Sequence, residues 1–357
     1  TTGGDYGRRL WREPDGFSTY FEALNRGKRS VCINLRQDEG RAVALQLGSR
    51  SDVVVENFRP GTMEGWGLGY EEFKAVNPRI IFAEATGWGT KGPMARYPSF
   101  DQIAQAYSGF AYRSGGGAAG TRPEVPFPGL ADQVGAMNLA FGIMTALYVR
   151  EHSGIGQKVE VSLLGSQVAM QAPDVLHSIN FKQERPREFR ASPTAGHYVC
   201  ADGRWVMMVI IDQKFWPRVC RALAIPELEA DERFAKGYHR WVNRELLEPL
   251  LEARFAEEPS ARWLERLRAE DVPCALVQTH AELAGDEQLL ANGYLQTVEH
   301  PDRGPLVVAG PQVALSATPA GVTTAAPRTG EHTDEILGEA GLSDEEIAGL
   351  RERGVVA

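Results

Sequence analysis

Apolar triplets and amphipathic stretches alternate through the first half of the chain. "SVCINL" (30–35), "SDVVVEN" (51–57) and "RIIFAEATG" (79–87) read as strands, and "DEGRAVALQLG" (38–48) and "GYEEFKAVN" (69–77) read as helices between them. Val53, Val54 and Val55 are apolar without alternation, which suits a strand covered on both faces. That pattern predicts a parallel sheet flanked by helices, the α/β arrangement. "SFDQIAQAYSGF" (99–110) and "FPGLADQVGAMNLAFGIMTALYVR" (127–150) are helical, and "QKVEVSLL" (157–164) returns to strand character.

The pattern changes after the charged "KQERPREFRASP" (182–193). "HYVCADGRWVMMVII" (197–211) predicts two strands around an Asp202-Gly203 hairpin turn, followed by charged amphipathic helices over 213–271. A strand "CALVQT", a helix "HAELAGDEQLLANG" and a hairpin "LQTVEHPDRGPLVVAG" complete a smaller α+β domain over 190–315. The large domain is expected over 1–180 and 318–357, with linkers at 172–195 and 316–329. In the final tail, Ser343 and Glu346 have the spacing of a capping box.

Composition narrows the function. A chain of 357 residues with a formal charge of −9 lacks the basic excess that broad nucleic-acid binding requires. No uninterrupted apolar run approaches the roughly 20 residues of a membrane span, so no membrane partner is expected. Cys32, Cys200, Cys220 and Cys274 show neither a C-x-x-C pair nor a His cluster, so no metal site is indicated and a reducing cytoplasm is the expected compartment.

"GGGAAG" (115–120) matches the G-x-G-x-x-G expression, but a helix precedes it and Pro123, Pro126 and Pro128 follow, so it lacks the strand–turn–helix context of dinucleotide binding. Asp132 stands out as a carboxylate at the entrance of an apolar helix. Taken alone it reads first as an N-cap, and the alternative is an ionised nucleophile whose pKa the helix N-terminus depresses. The helix behind it is apolar nearly all round, the mark of a buried element. Gly135 and Gly142 would admit close approach of a neighbour.

"NRGKRSVCINLRQDEGRAVALQL", "SDVVVENFRPG", "GLGYEEFKAVNPRIIFAEATGWGTKGP", "FDQIAQAYSG", "GIGQKVEVSLL" and "RTGEHTDEIL" together resemble the class III CoA transferases (CaiB/BaiF type). That group includes formyl-CoA and carnitine CoA-transferases and shares its fold with α-methylacyl-CoA racemases. The resemblance implies a large Rossmann-like domain, a small α+β domain and an interlocked homodimer. It implies coenzyme A as co-substrate, an acyl-CoA and a carboxylic acid as partners, and Asp132 as the nucleophile of a mixed-anhydride and aspartyl-CoA cycle. The CoA contacts implied are Ile33, Asn34, Leu35 and Arg36, then Asn57, Phe58 and Arg59, and finally Pro98, Ser99, Phe100 and Asp101. Taken without the resemblance, the two arginines read as solvated surface charges and Phe58 and Phe100 as core residues.

The chain departs from the family pattern in three places. A further strand–helix unit is expected ahead of the first residue here, Gly65 stands where relatives often carry a phosphate-binding Arg, and no glycine-rich loop lies between 175 and 215, so oxalate is not a favoured acceptor. Racemases of this fold use a His at the position of Phe100, and phenylalanine cannot carry a proton. Transferase is therefore preferred to racemase. A CoA-binding protein without catalysis is the remaining alternative.

Overall fold

The structure is a computed structural model that describes residues 4–184 and 188–357. The chain forms two compact units, one of Thr1–Arg187 with Leu290–Ala357 and the other of Glu188–Leu289.

The first unit opens with α1 (Thr19–Asn25) and α2 (Asp38–Ser49). It continues through β1 (Val53–Glu56), α3 (Thr62–Gly65), α4 (Tyr70–Val76) and β2 (Ile81–Thr86). Then come α5 (Asp101–Tyr107), α6 (Phe110–Ser114), α7 (Leu130–Ser153), β3 (Lys158–Ser162), α8 (Leu163–Met170) and α9 (Ala172–Phe181). β1, β2 and β3 form a parallel sheet in that order, with Val53 opposite Ile81 and Ala83 opposite Val159. Parallel strands need crossovers, and helices fill them.

One face of β2 sets Phe82 against Met63, Leu68 and Phe73. The other carries α7, whose Gly142 passes so near Val159 that a Cβ would lie 2.8 Å from its Cγ1, as one at Gly135 would lie 2.9 Å from Leu163 Cδ2. Both glycines thus serve the packing of α7 onto its neighbours.

The sheet covers only one side of α7. A 24-residue helix runs about 36 Å, roughly twice the span of a five-residue strand. Met137, Phe141, Met144 and Tyr148 are therefore 64–76 % exposed, and the expectation of a buried helix fails for this stripe. By length and composition alone α7 is also apolar enough to cross a membrane, although Asp132, Gln133, Asn138 and Arg150 interrupt its apolar run. It nevertheless packs along β2, β3, α5 and α8.

"SVCINL" is not a strand of the sheet. Its backbone bonds the chain end instead, with Asn34 N–H donating to the Val355 carbonyl and Ile33 bridging Val356. The predicted helix over 99–110 breaks at Gly109, which adopts φ +85° between α5 and α6. The expected linker at 172–195 begins as α9, because Pro173 falls in the first turn, where proline is tolerated. Its residues 185–187 lie outside the described residues.

The second unit holds β4 (Ala195–Val199), β5 (Trp205–Val209), α10 (Phe215–Ala222), α11 (Pro226–Ala230), α12 (Gly237–Val242), α13 (Arg244–Phe255), α14 (Ser260–Ala269) and β6 (Cys274–Leu276). β4 and β5 meet at the predicted turn, with Gly203 at φ +74°, and β6 joins β5 antiparallel. Tyr198, Trp216, Phe234, Phe255 and Trp263 fill its core.

α15 (Glu287–Ala291) leads back to the first unit, where β7 (Leu295–His300) and β8 (Gly304–Ala309) form the predicted hairpin. Sequence reading gave this hairpin to the small domain, but it belongs to the first unit. Phe17 stacks edge-on against His300 at 5.4 Å, and Arg303 lies 4.1 Å over the Phe17 ring and pairs with Asp15. Residues 316–329 carry neither helix nor strand. The tail forms α16 (Thr333–Glu339) and α17 (Asp344–Glu352), and Leu337, Ile347 and Leu350 pack with Val43 of α2.

Candidate active site

Helix α7 begins at Gly129, whose φ of +93° and missing side chain leave the helix without a cap of its own. The cap comes from α5. Asp101 accepts through Oδ2 from Gly129 N–H at 2.8 Å and through Oδ1 from Ala131 N–H at 2.6 Å and Asp132 N–H at 3.3 Å. Gln105 donates Nε2 to Asp101 Oδ2 at 2.7 Å and also to the Phe127 carbonyl, fixing the carboxylate from behind. Asp101 is therefore buried, with both carboxylate oxygens engaged.

Asp132 is the third residue of α7, not its N-cap. Among the described residues nothing donates a hydrogen bond to its carboxylate. Half-burial, with the Asp101 charge beside it, raises its pKa to about 6. The depressed pKa expected from the helix terminus is thus reversed, first by burial and then by the Asp101 charge. The group still ionises below neutral pH.

Sequence reading passed over two aromatic residues, Tyr20, near enough to feel the Asp132 charge, and Trp11, packed on Tyr20. Burial, then Asp132, Asp101 and Asp5, raise the Tyr20 phenol pKa. Trp11 meets the Tyr20 ring edge-on at 5.7 Å and holds a left-handed backbone, φ +45°, that a bulky residue seldom adopts. The only sequence signal was the concentration of aromatic residues in "LWREPDGFSTYF" (10–21).

The other expected site residues form a second group. Asn34 holds the 33–36 turn, its Oδ1 accepting from Arg36 N–H at 3.2 Å, and Leu35 packs into the cluster containing Trp66. Phe58 meets Trp66 edge-on at 5.4 Å, bringing 57–59 to the same cluster. Glu56 anchors that loop by accepting from Phe58 N–H at 2.6 Å. Burial pushes Glu56 up to about 7, with Glu84 opposite it in the sheet as a further cause. Arg36 and Arg59 are exposed, and their guanidinium groups make no ion pair among the described residues. Asn57 is also exposed.

Pro98 accepts from Trp88 Nε1 at 3.4 Å, and Ser99 sits against Gly87, where a Cβ would lie 2.2 Å from its own. Phe100 is 72 % and Phe58 44 % exposed, so neither is a core residue. No hydrogen bond or ion pair among the described residues joins the Asp132 group to the 33–36 and 57–59 group. Around Gly65 there is open space. No set of three or more His, Cys, Asp or Glu among the described residues is placed to hold a metal ion.

The half-buried carboxylate at the start of a helix in an α/β unit and the exposed arginines without an ion pair among the described residues are the features that set this site apart. The chain belongs to CoA-transferase family III, whose description matches residues 1–333. It is similar to formyl-CoA:oxalate CoA-transferase of Streptomyces coelicolor, with 34 % identity over 99 % of this chain and 90 % of that protein. It is also similar to the succinyl-CoA–L-malate CoA-transferase alpha subunit of Chloroflexus aurantiacus, with 33 % identity over 93 % of this chain and 78 % of the relative. A crystal structure of a CAIB/BAIF family protein from Brucella suis superposes with a TM-score of 0.81 at 27 % identity, covering 93 % and 88 % of the two chains.

Proposed function

We propose that this family III CoA-transferase moves coenzyme A from an acyl-CoA thioester to a carboxylic acid through covalent intermediates on Asp132. An Asp132 oxygen attacks the thioester carbonyl, the C–S bond breaks, and CoA thiolate leaves a mixed anhydride. The thiolate then attacks the Asp132 carbonyl carbon, releasing the donor acid as its carboxylate and leaving aspartyl-CoA. The acceptor carboxylate attacks that thioester, and the returning thiolate takes the acceptor acyl group from the second anhydride. Asp132 emerges as a carboxylate, and no net proton is consumed.

The observation that carries this reading is the Asp132 carboxylate itself, half-buried and with no donor satisfying it among the described residues. An anion held in that way is more nucleophilic than one fully hydrogen-bonded. Arg36 and Arg59 are the proposed partners of the CoA phosphates, which guanidinium groups bind in forked geometry. Ile33, Asn34, Leu35, Asn57, Phe58, Pro98, Ser99, Phe100 and the Asp101 main chain line the proposed CoA path. Relatives are named for oxalate and L-malate, both dicarboxylic acids, so small dicarboxylates head the acceptor screen and oxalate returns to it. The uncovered stripe on α7 supports a homodimer, and the four free cysteines support a reducing cytoplasm.

Incubation with acyl-CoA and hydroxylamine tests the nucleophile. The expected result is inactivation with a hydroxamate at Asp132. Full turnover by Asp132→Ala would overturn the assignment. Solvent deuterium entering an α-branched acyl-CoA without any acceptor acid would favour the racemase instead.

A further inference from the structure

We infer that Asp101 is the positioning residue of the site, taking the amides at the start of α7 so that Asp132 cannot spend its own carboxylate on them. The inference deepens the nucleophile reading and rests on it.

A helix start offers two kinds of local acceptor. The N-cap side chain takes the amides of the second and third residues, and an acidic third residue reaches back to the N-cap amide. At α7 the first acceptor is missing because Gly129 has no side chain, whereas the second is present as Asp132. Left alone, Asp132 would turn to Gly129 N–H. Asp101 prevents this by playing both parts, with Oδ2 on Gly129 N–H and Oδ1 on Ala131 and Asp132 N–H. Gln105, wholly buried, holds Asp101 in that pose at 2.7 Å.

The same arrangement sets the charge around the nucleophile. From α5 the group facing Asp132 is Asp101, and from α1 it is Tyr20. α8 carries no titratable side chain. On β2 and β3, Lys158 pairs with Glu84 at 2.5 Å and with Glu160 at 3.0 Å. Asp101 is therefore the charge that opposes ionisation of Asp132. Removing it exposes bare amides and deletes a neighbouring anion, and both changes favour the ionised form.

The test is the pH profile of kcat/KM for Asp101→Asn. The acid limb is expected to move down by about half a pH unit or more, with kcat reduced about tenfold or more as Asp132 turns to the Gly129 amide, from which the Asn NH2 cannot accept. An unmoved acid limb, with Asp132 still trapped by hydroxylamine, would overturn this inference and leave the nucleophile intact. Absence of trapping at Asp132 in the parent protein would instead remove the nucleophile reading. Should Asp101→Asn fail to fold, hydrogen exchange at the Gly129 amide in Asp132→Ala decides the matter. Protection equal to the parent's is expected, and its loss would show that Asp132 had been the cap.

Discussion

Among the helices that carry an acid at their third position, α7 and α17 use it in opposite ways. At α17, Glu346 reaches back to Ser343 N–H at 2.8 Å while Ser343 Oγ accepts from Glu346 N–H, and those bonds hold the Glu346 carboxyl below its usual range. At α7, Asp132 receives no such bond, and its pKa is raised to about 6. The local sequence is equally able to supply an acid in both places. What differs is the preceding residue, a serine at α17 and a glycine at α7, and the arrival of Asp101 from another helix. One acid finishes its helix, and the other is kept idle. Arg36 and Arg59, exposed and unpaired, are idle in the same sense, whereas Arg29 is tied to Glu335 and Glu339 at 2.8 Å each.

Substitutions sort these groups by what they affect. Asp132→Asn should lower transfer by about 10³-fold or more, measured as product thioester formation, because a nucleophile's loss is not compensated by its neighbours. The same variant should be more stable than the parent. The folded-state pKa of Asp132, about 6, lies above its ordinary 3.8, so the ionised carboxylate destabilises the fold above about pH 6 and has no effect below about pH 4. With solvent screening at a half-exposed group, the gain should be about 1–2 kcal/mol at pH 8, read from denaturant midpoints, and absent at pH 4.

Smaller effects follow from the idle arginines. Arg36→Ala and Arg59→Ala should each raise KM for acyl-CoA about tenfold, with a weaker salt dependence than the parent and unchanged thermal midpoints. Unaltered binding in both would remove them from the site. Gly65→Arg, placed in open space, should tighten acyl-CoA binding about threefold, read as KM at low ionic strength. Smallest is Glu346→Gln, which should lower the thermal midpoint slightly and leave kinetics untouched. A kinetic change there would blur the contrast between the two helices.

Periodicity carried the sheet and its helices into view, because Val53–Val55 and "RIIFAEATG" are apolar in the way two-sided burial demands. It failed for "SVCINL", whose composition suits a strand but whose hydrogen-bond partners come from residues more than 300 positions later, such as Val355. It also misjudged α7, since apolarity around a helix reports what the side chains prefer, not what one chain supplies to cover them. Asp132 was visible as an isolated acid. Its state was not, because Asp101 acts across 31 residues and only the folded backbone brings the two together. Tyr20 and Trp11 escaped for the same reason.

Trp11 restricts how the turn that backs Tyr20 can change. An exposed tryptophan would ordinarily be a free target for stabilising substitution, yet its left-handed backbone penalises every residue with a Cβ. Glycine alone would relax the turn, and glycine would also remove the ring that leans on Tyr20. Engineering for robustness and retaining the aromatic contact therefore pull this position in opposite directions.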